Sequence, residues 1–146
     1  MIGIDTNVLV RFLTRDDETQ YERAQSLIQT QLDAGDPIFV SLLVVLETEW
    51  VLRSCYGLTK PRIIEVLTEL LESREIVFED ESSLEEALFS WRESAADFAD
   101  CLIVAHGRRL GCRQVVSFDA KAAKLPGGAL AVLSKTIAPA LINGFD

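Results

Sequence analysis

The stretch that decides the fold is Met1-Ile2-Gly3-Ile4-Asp5-Thr6-Asn7-Val8-Leu9-Val10, an apolar run too short for a helix that stops on a carboxylate. Ile2 to Ile4 read as a short buried strand, and Thr6-Asn7 are placed to cap a helix beginning at Val8. Asp5 then stands where strand hands over to helix. In open parallel sheets ligands bind at such junctions. Taken alone, Asp5 reads first as a turn or cap residue, so its meaning depends on what the rest of the chain brings to it.

Outward from this start, apolar strand-like runs alternate with helical patterns. A helix from about Thr6 to Leu13 gives way to the polar turn Thr14-Arg15-Asp16-Asp17. Glu18 to Ala34 then carries Tyr21, Ala24, Leu27, Ile28 and Leu32 at amphipathic spacing, closed by Gly35. Pro37 to Val40 is a strand, and Ser41 caps a strongly apolar helix to about Cys55. Thr59 precedes a helix to about Ser73 that tolerates Pro61 in its first turn. A strand, Ile76 to Phe78, follows, and Ser83 with Glu86 forms a capping-box signature for a helix to about Glu93. Asp97 to Leu110 is the next helix, stopped by Gly111. Val115 to Phe118 is a strand that again ends on a carboxylate, Asp119. Lys121 to Lys124 makes one helical turn, Leu130 to Leu133 a weak strand, and a short proline-interrupted helix closes the tail. This order predicts one α/β domain over residues 1–146: a mainly parallel sheet of four or five short strands, covered by helices on both faces. Asp5 and Asp119 then project from the same sheet edge.

Composition narrows the chemistry. Hydrophobic residues are 49% and charged residues 25%, a globular balance without low-complexity tracts. No run approaches the roughly 18 apolar residues of a membrane span, and no secretory leader is visible because Asp5 interrupts the first apolar run, so the expectation is a cytoplasmic protein. Cys55, Cys101 and Cys112 are far apart and His106 is the sole histidine. A zinc site is therefore not expected, and His106 reads as structural or solvated. The net charge of −9 opposes binding to phosphate backbones. Yet residues 1–100 carry 21 acidic and 8 basic side chains, whereas residues 101–146 carry 2 and 6. A local basic rim is compatible with that segregation. Arg11, Arg15 and Arg53, if they border an acidic pocket, suit either substrate phosphates or a partner's carboxylate.

Several acids sit on apolar backgrounds. Glu47 has Leu43, Val44, Trp50 and Val51 as its helical neighbours and lacks a local cation, whereas Glu49 has Arg53 four residues on. A buried unpaired carboxylate must protonate, find a distant cation or bind a metal. Asp97 and Asp100 stand three apart on one helical face, where like charges repel, although a helix N-terminus offsets part of that cost. If Asp5, Glu47, Asp97, Asp100 and Asp119 converge, a divalent cation would neutralise them. Hard oxygen ligands without Cys or His favour Mg²⁺ or Mn²⁺. Such a site suits phosphodiester hydrolysis by metal-activated water, with one or two ions.

With these residues assembled, the chain resembles the PIN-domain nucleases, and most closely the VapC-type toxins of toxin–antitoxin pairs. The resemblance rests on Ile4-Asp5-Thr6-Asn7; on Glu47 with Trp50-Val51-Leu52-Arg53 and Tyr56-Gly57-Leu58; on Asp97-Phe98-Ala99-Asp100-Cys101-Leu102-Ile103; and on Ser117-Phe118-Asp119. It implies a three-layer PIN-like fold in which Asp5, Glu47, Asp100 and Asp119 hold Mg²⁺, with Asp97 as an auxiliary acid. It also implies that Thr6, Asn7 and Ser117 orient the first carboxylate or line the site. Single-stranded or loop RNA as substrate, 5′-phosphate and 3′-hydroxyl products, a homodimer and a small cognate antitoxin are implied in the same way. So is contact with operator DNA only through that antitoxin.

Three other readings compete. A catalytically silent PIN-like module would bind a protein partner. A DNA-cutting relative would share the same metal chemistry. A phosphohydrolase using Asp5 as covalent nucleophile is disfavoured, because Asp5-Thr6-Asn7 has no second acid two residues later.

Overall fold

The structure, a computed structural model, describes residues 1–131. The chain runs β1 (Ile2–Gly3), α1 (Thr6–Thr14), α2 (Glu18–Asp33), β2 (Ile38–Val40), α3 (Leu42–Ser54), α4 (Lys60–Glu72), β3 (Ile76–Phe78), α5 (Glu81–Glu93), α6 (Phe98–Arg109), β4 (Val115–Ser117), α7 (Ala120–Ala123) and β5 (Gly128–Leu130). The α/β alternation and the parallel strand pairing are as the sequence predicts. The strands divide into an ordered trio β1-β2-β3 and a pair β4-β5, with every pairing parallel. The last strand among the described residues is Gly128–Leu130, whereas the expected Leu130–Leu133 strand lies partly, and the short helix expected near Pro139 wholly, outside them. Among the described residues no helix is long and apolar enough to cross a membrane.

One device recurs at the strand ends. Each of the first four strands is followed by a polar residue whose side chain caps the next helix. Asp5 accepts from Val8 N–H at 3.0 Å, Ser41 from Val44 N–H at 3.2 Å, Asp80 from Ser83 N–H at 3.1 Å and Asp119 from Lys121 N–H at 2.7 Å. An extended N-cap satisfies a helical donor that would otherwise lack a partner. Two sequence expectations are corrected here. Asp5 itself, not Thr6-Asn7, caps α1. Asp80, not Ser83, caps α5, which therefore starts earlier than the Ser83/Glu86 pattern suggested.

The core is built by the apolar faces of α3 to α6 against the β1-β2-β3 sheet, with Ile38, Val40, Val45, Leu52, Ile63, Leu67, Leu84 and Leu102 almost wholly buried. The amphipathic stripes of α2 and α4 serve this core: Ala24 and Ile28 in one, Ile63, Leu67 and Leu70 in the other. At the other end of the chain, β5 closes tightly on α7. A Cβ at Gly128 would collide with the Ala122 carbonyl, and Gly127 has φ +90°, a conformation that glycine adopts without strain.

Helices α5 and α6 pack more extensively than any other pair. At their junction the buried Asp80 carboxylate also accepts from the Ser83 hydroxyl, contacts His106 Nδ1 at 3.0 Å and pairs with Arg109 Nε at 2.8 Å. His106 is thus structural, as its sequence context indicated. Burial pushes the Asp80 carboxyl up. The Ser83 and His106 hydrogen bonds and the Arg109 charge outweigh it, leaving Asp80 below the usual carboxylate range. Because the folded value lies below the unfolded one, this contribution is present above the ordinary carboxylate pKa and is lost as pH falls through the folded value. Asp80→Ala removes the cap and the bonds to α6, and is expected to cost about 2–3 kcal/mol in urea unfolding at pH 7. The deficit should shrink as the wild type is acidified below pH ~4.

Candidate active site

Helix α3 presents two carboxylates in opposite ways. Its inward face is Val45, Thr48, Glu49 and Leu52, so Glu49 is only 4% exposed and its Oε1 accepts from Arg53 Nε at 2.8 Å. Glu47, half a helical turn away, faces out and is exposed. The sequence expectation that Glu47 is buried is therefore corrected: its apolar neighbours Leu43 and Trp50 are themselves exposed. The Glu49–Arg53 pair forms as expected, yet it is Glu49 that is buried.

Glu47 and Asp5 share a cavity. It measures about 230 Å³ and is lined by Asp5, Thr6, Asn7, Leu43, Val44 and Glu47. The strand-to-helix junction after β1 thus meets the outer face of α3. Thr6 is buried at that junction while Asn7 is exposed.

The remaining acids gather around α6. Asp97 occupies the N-cap position without a side-chain cap bond and is exposed; Asp100, in the first turn, is half-buried. Phe98 and Cys101, between and beside them, are buried and hold this turn to the core. Asp119 is exposed and caps α7, and its own N–H donates to Ser117 Oγ at 3.0 Å. Burial, then the charges of Asp119 and Asp97, push the Asp100 carboxyl up.

No cation lies within ion-pair distance of Asp5, Glu47, Asp97, Asp100 or Asp119 among the described residues, although nine other ion pairs form there. Nor do any three acids stand close enough together to make a ready-formed metal cage among those residues. Asp5 and Glu47 line one cavity, and Asp100 feels the charges of Asp119 and Asp97. In donor chemistry they fit a hard divalent ion: oxygen atoms only, an excess of negative charge and mutual repulsion that a cation would relieve.

The three arginines singled out from sequence are all engaged within the chain. Arg11 Nη1 reaches Asp16 at 3.1 Å and the Tyr56 hydroxyl oxygen at 3.1 Å. The Tyr56 hydroxyl, with Thr14 and Arg11, lowers the Asp16 carboxyl to about 2 against the opposing effect of desolvation. Arg15 pairs with Glu18 at 3.0 Å and lies over the Tyr21 ring. Arg53 is held by Glu49, and the charge of Asp97 acts on it. Sequence reading passed over Asp80 and the burial of Glu49. The second was signalled by Val45, Leu46 and Leu52 at helical spacing around Glu49.

The PIN domain family model matches residues 2–128. A curated VapC ribonuclease from Aquifex aeolicus (strain VF5) is 27% identical over 122 residues, covering 84% of this chain and 90% of that protein. The match begins at the strand that presents Asp5 and extends beyond Asp119, so it takes in all five acids and the elements that carry them: the chain belongs to the PIN domain family.

Proposed function

We propose that this chain is a Mg²⁺-dependent endoribonuclease, with Mn²⁺ as an alternative ion, acting as the toxin of a type II toxin–antitoxin pair. The observation that carries the reading is the set of five carboxylates without cationic partners among the described residues, with Asp100 pushed up by Asp119 and Asp97. The similarity to a VapC ribonuclease supports RNA as the substrate and a small antitoxin as partner. A homodimer and operator DNA reached only through the antitoxin belong to the same proposal.

Asp5, Glu47, Asp100 and Asp119 would hold the ion and Asp97 would act as an auxiliary acid. When bound, the ion lowers the pKa of a water and stabilises charge on the phosphoryl group. The chain's own contribution is orientation. Asp5 and Asp119 each have one carboxylate oxygen fixed by a helix N-terminus, which leaves the other to face a ligand. Ser117 supports the backbone at Asp119, and Thr6 and Asn7 line the cavity beside Asp5. Arg11 and Arg15 serve substrate phosphates or an antitoxin carboxylate only by sharing or leaving their present acids.

A second reading, a binding module without catalysis, draws on one observation: among the described residues no three acids are close enough for a metal cage. The deciding experiment incubates purified protein with total and structured RNA, and with single-stranded DNA, in Mg²⁺, Mn²⁺ or chelator, beside a thermal-shift titration of the same ions. Discrete metal-dependent RNA cuts are the expected result. Cuts in DNA alone would identify the DNA-cutting relative, and no cleavage with no metal stabilisation would leave the binding module.

A further inference from the structure

The Glu49–Arg53 pair is asymmetric in a way that packing alone does not explain. Glu49 is buried, while the Arg53 side chain is 51% exposed. Placing a carboxylate in the core is unfavourable even when it is paired, and a helix-terminal arginine needs no buried partner to stay on the surface. The contact is made through Nε alone. It leaves both terminal nitrogens, with four N–H donors, without a hydrogen-bond partner among the described residues. Helix α3, which carries Arg53, packs against α6, the helix that begins after Asp97 and carries Asp100.

We propose that Arg53 is a phosphate-binding residue for the RNA strand passing the acidic site and that buried Glu49 is its positioning residue, an inference that rests on the nuclease reading above. A site lined by uncompensated acids repels a polyanion everywhere except where a metal or a fixed cation meets it. Arg11 and Arg15 are paired with exposed acids, whereas Arg53 is anchored to buried Glu49. A planar guanidinium held by its Nε edge presents its remaining donors to two phosphate oxygens without having to be ordered on binding.

The test measures binding of a fluorescent oligouridine as a function of salt in chelator, and cleavage kinetics in Mg²⁺, for wild type, Arg53→Ala, Arg53→Lys and Glu49→Gln. Arg53→Ala should reduce the slope of log affinity against log salt by about 0.7, the value of one single-strand phosphate contact. It should also raise KM about 5- to 10-fold with kcat changed less than about 2-fold, the pattern of lost uniform binding. Arg53→Lys should keep the slope, and Glu49→Gln should raise KM while keeping it, because charge survives and only orientation is lost. Unchanged slope and KM in Arg53→Ala, with wild type cleaving RNA, would overturn this inference alone and leave the guanidinium to a protein partner's carboxylate. A wild type that neither binds nor cleaves RNA would overturn the nuclease reading and this inference with it. Because Arg53→Ala leaves buried Glu49 without its cation, Arg53→Ala/Glu49→Ala is measured beside it and Tm is recorded for every variant, so loss of binding is read only from folded chains.

Discussion

Asp100→Asn and Asp5→Asn should each lower metal-dependent RNA cleavage by at least ~10²-fold while leaving the fold intact. Loss of a residue that only orients a metal ligand typically costs 10–100-fold, so loss of a ligand should cost at least that. The two variants report different things. At Asp5 the substitution keeps the helix cap, because asparagine caps as well as aspartate, so only charge is removed. At Asp100 it removes a half-buried charge that Asp119 and Asp97 repel. The folded Asp100 pKa lies above its unfolded value, so its ionised form weakens the fold once pH exceeds the unfolded value, and acid relieves the penalty. Asp100→Asn should therefore raise Tm by about 1–3 °C at neutral pH without metal, and the gain should vanish as pH falls to the carboxylate range. Wild type should instead be stabilised by Mg²⁺, an effect the variant should largely lose. Full cleavage in both variants would end the nuclease proposal.

The largest stability effect is expected at Phe98→Ala. Phe98 is 1% exposed and packs on Trp91 with ring centroids 5.1 Å apart and planes tilted by 50°. Truncation removes an aromatic contact and leaves a void between α5 and α6, at a cost of about 3–5 kcal/mol. Urea unfolding followed by tryptophan fluorescence measures it directly, since Trp91 lines the void. A loss below ~1 kcal/mol would show that this turn collapses to fill the space. Phe98 also stands between Asp97 and Asp100, so the variant should impair metal-induced stabilisation as well as the fold.

How far the sequence could be read depended on how local the controlling physics was. The first four strands and most helix limits followed from apolar runs and punctuation such as Gly35, Pro61 and Gly111, all features of near neighbours. The start of α5 was misplaced because Ser83-x-x-Glu86 satisfies a capping rule that buried Asp80, three residues earlier, satisfies better with its partners His106 and Arg109. Those partners come from α6 and are invisible to a local window. Glu47 and Glu49 show the same limit on one helix. Both have apolar neighbours, and only tertiary packing decides that Val45, Thr48, Glu49 and Leu52 face inward. The candidate acids were legible as residues, but the cavity that Asp5 and Glu47 share was not. That depends on how α3 approaches the end of β1.

The four capped junctions after β1 to β4 amount to a row of interchangeable sockets. Each needs a short side chain with an oxygen acceptor, and any of Asp, Asn, Ser or Thr meets that need. Asp5 and Asp119 fill two sockets with proposed site acids, Asp80 uses another to brace α6, and Ser41 occupies the last with an uncharged hydroxyl. Outside Asp80, whose charge also holds α6, charge at this rim can therefore be rewritten one position at a time without dismantling the helices behind it. A lineage could change its chemistry, or lose it, through single substitutions that the scaffold hardly registers.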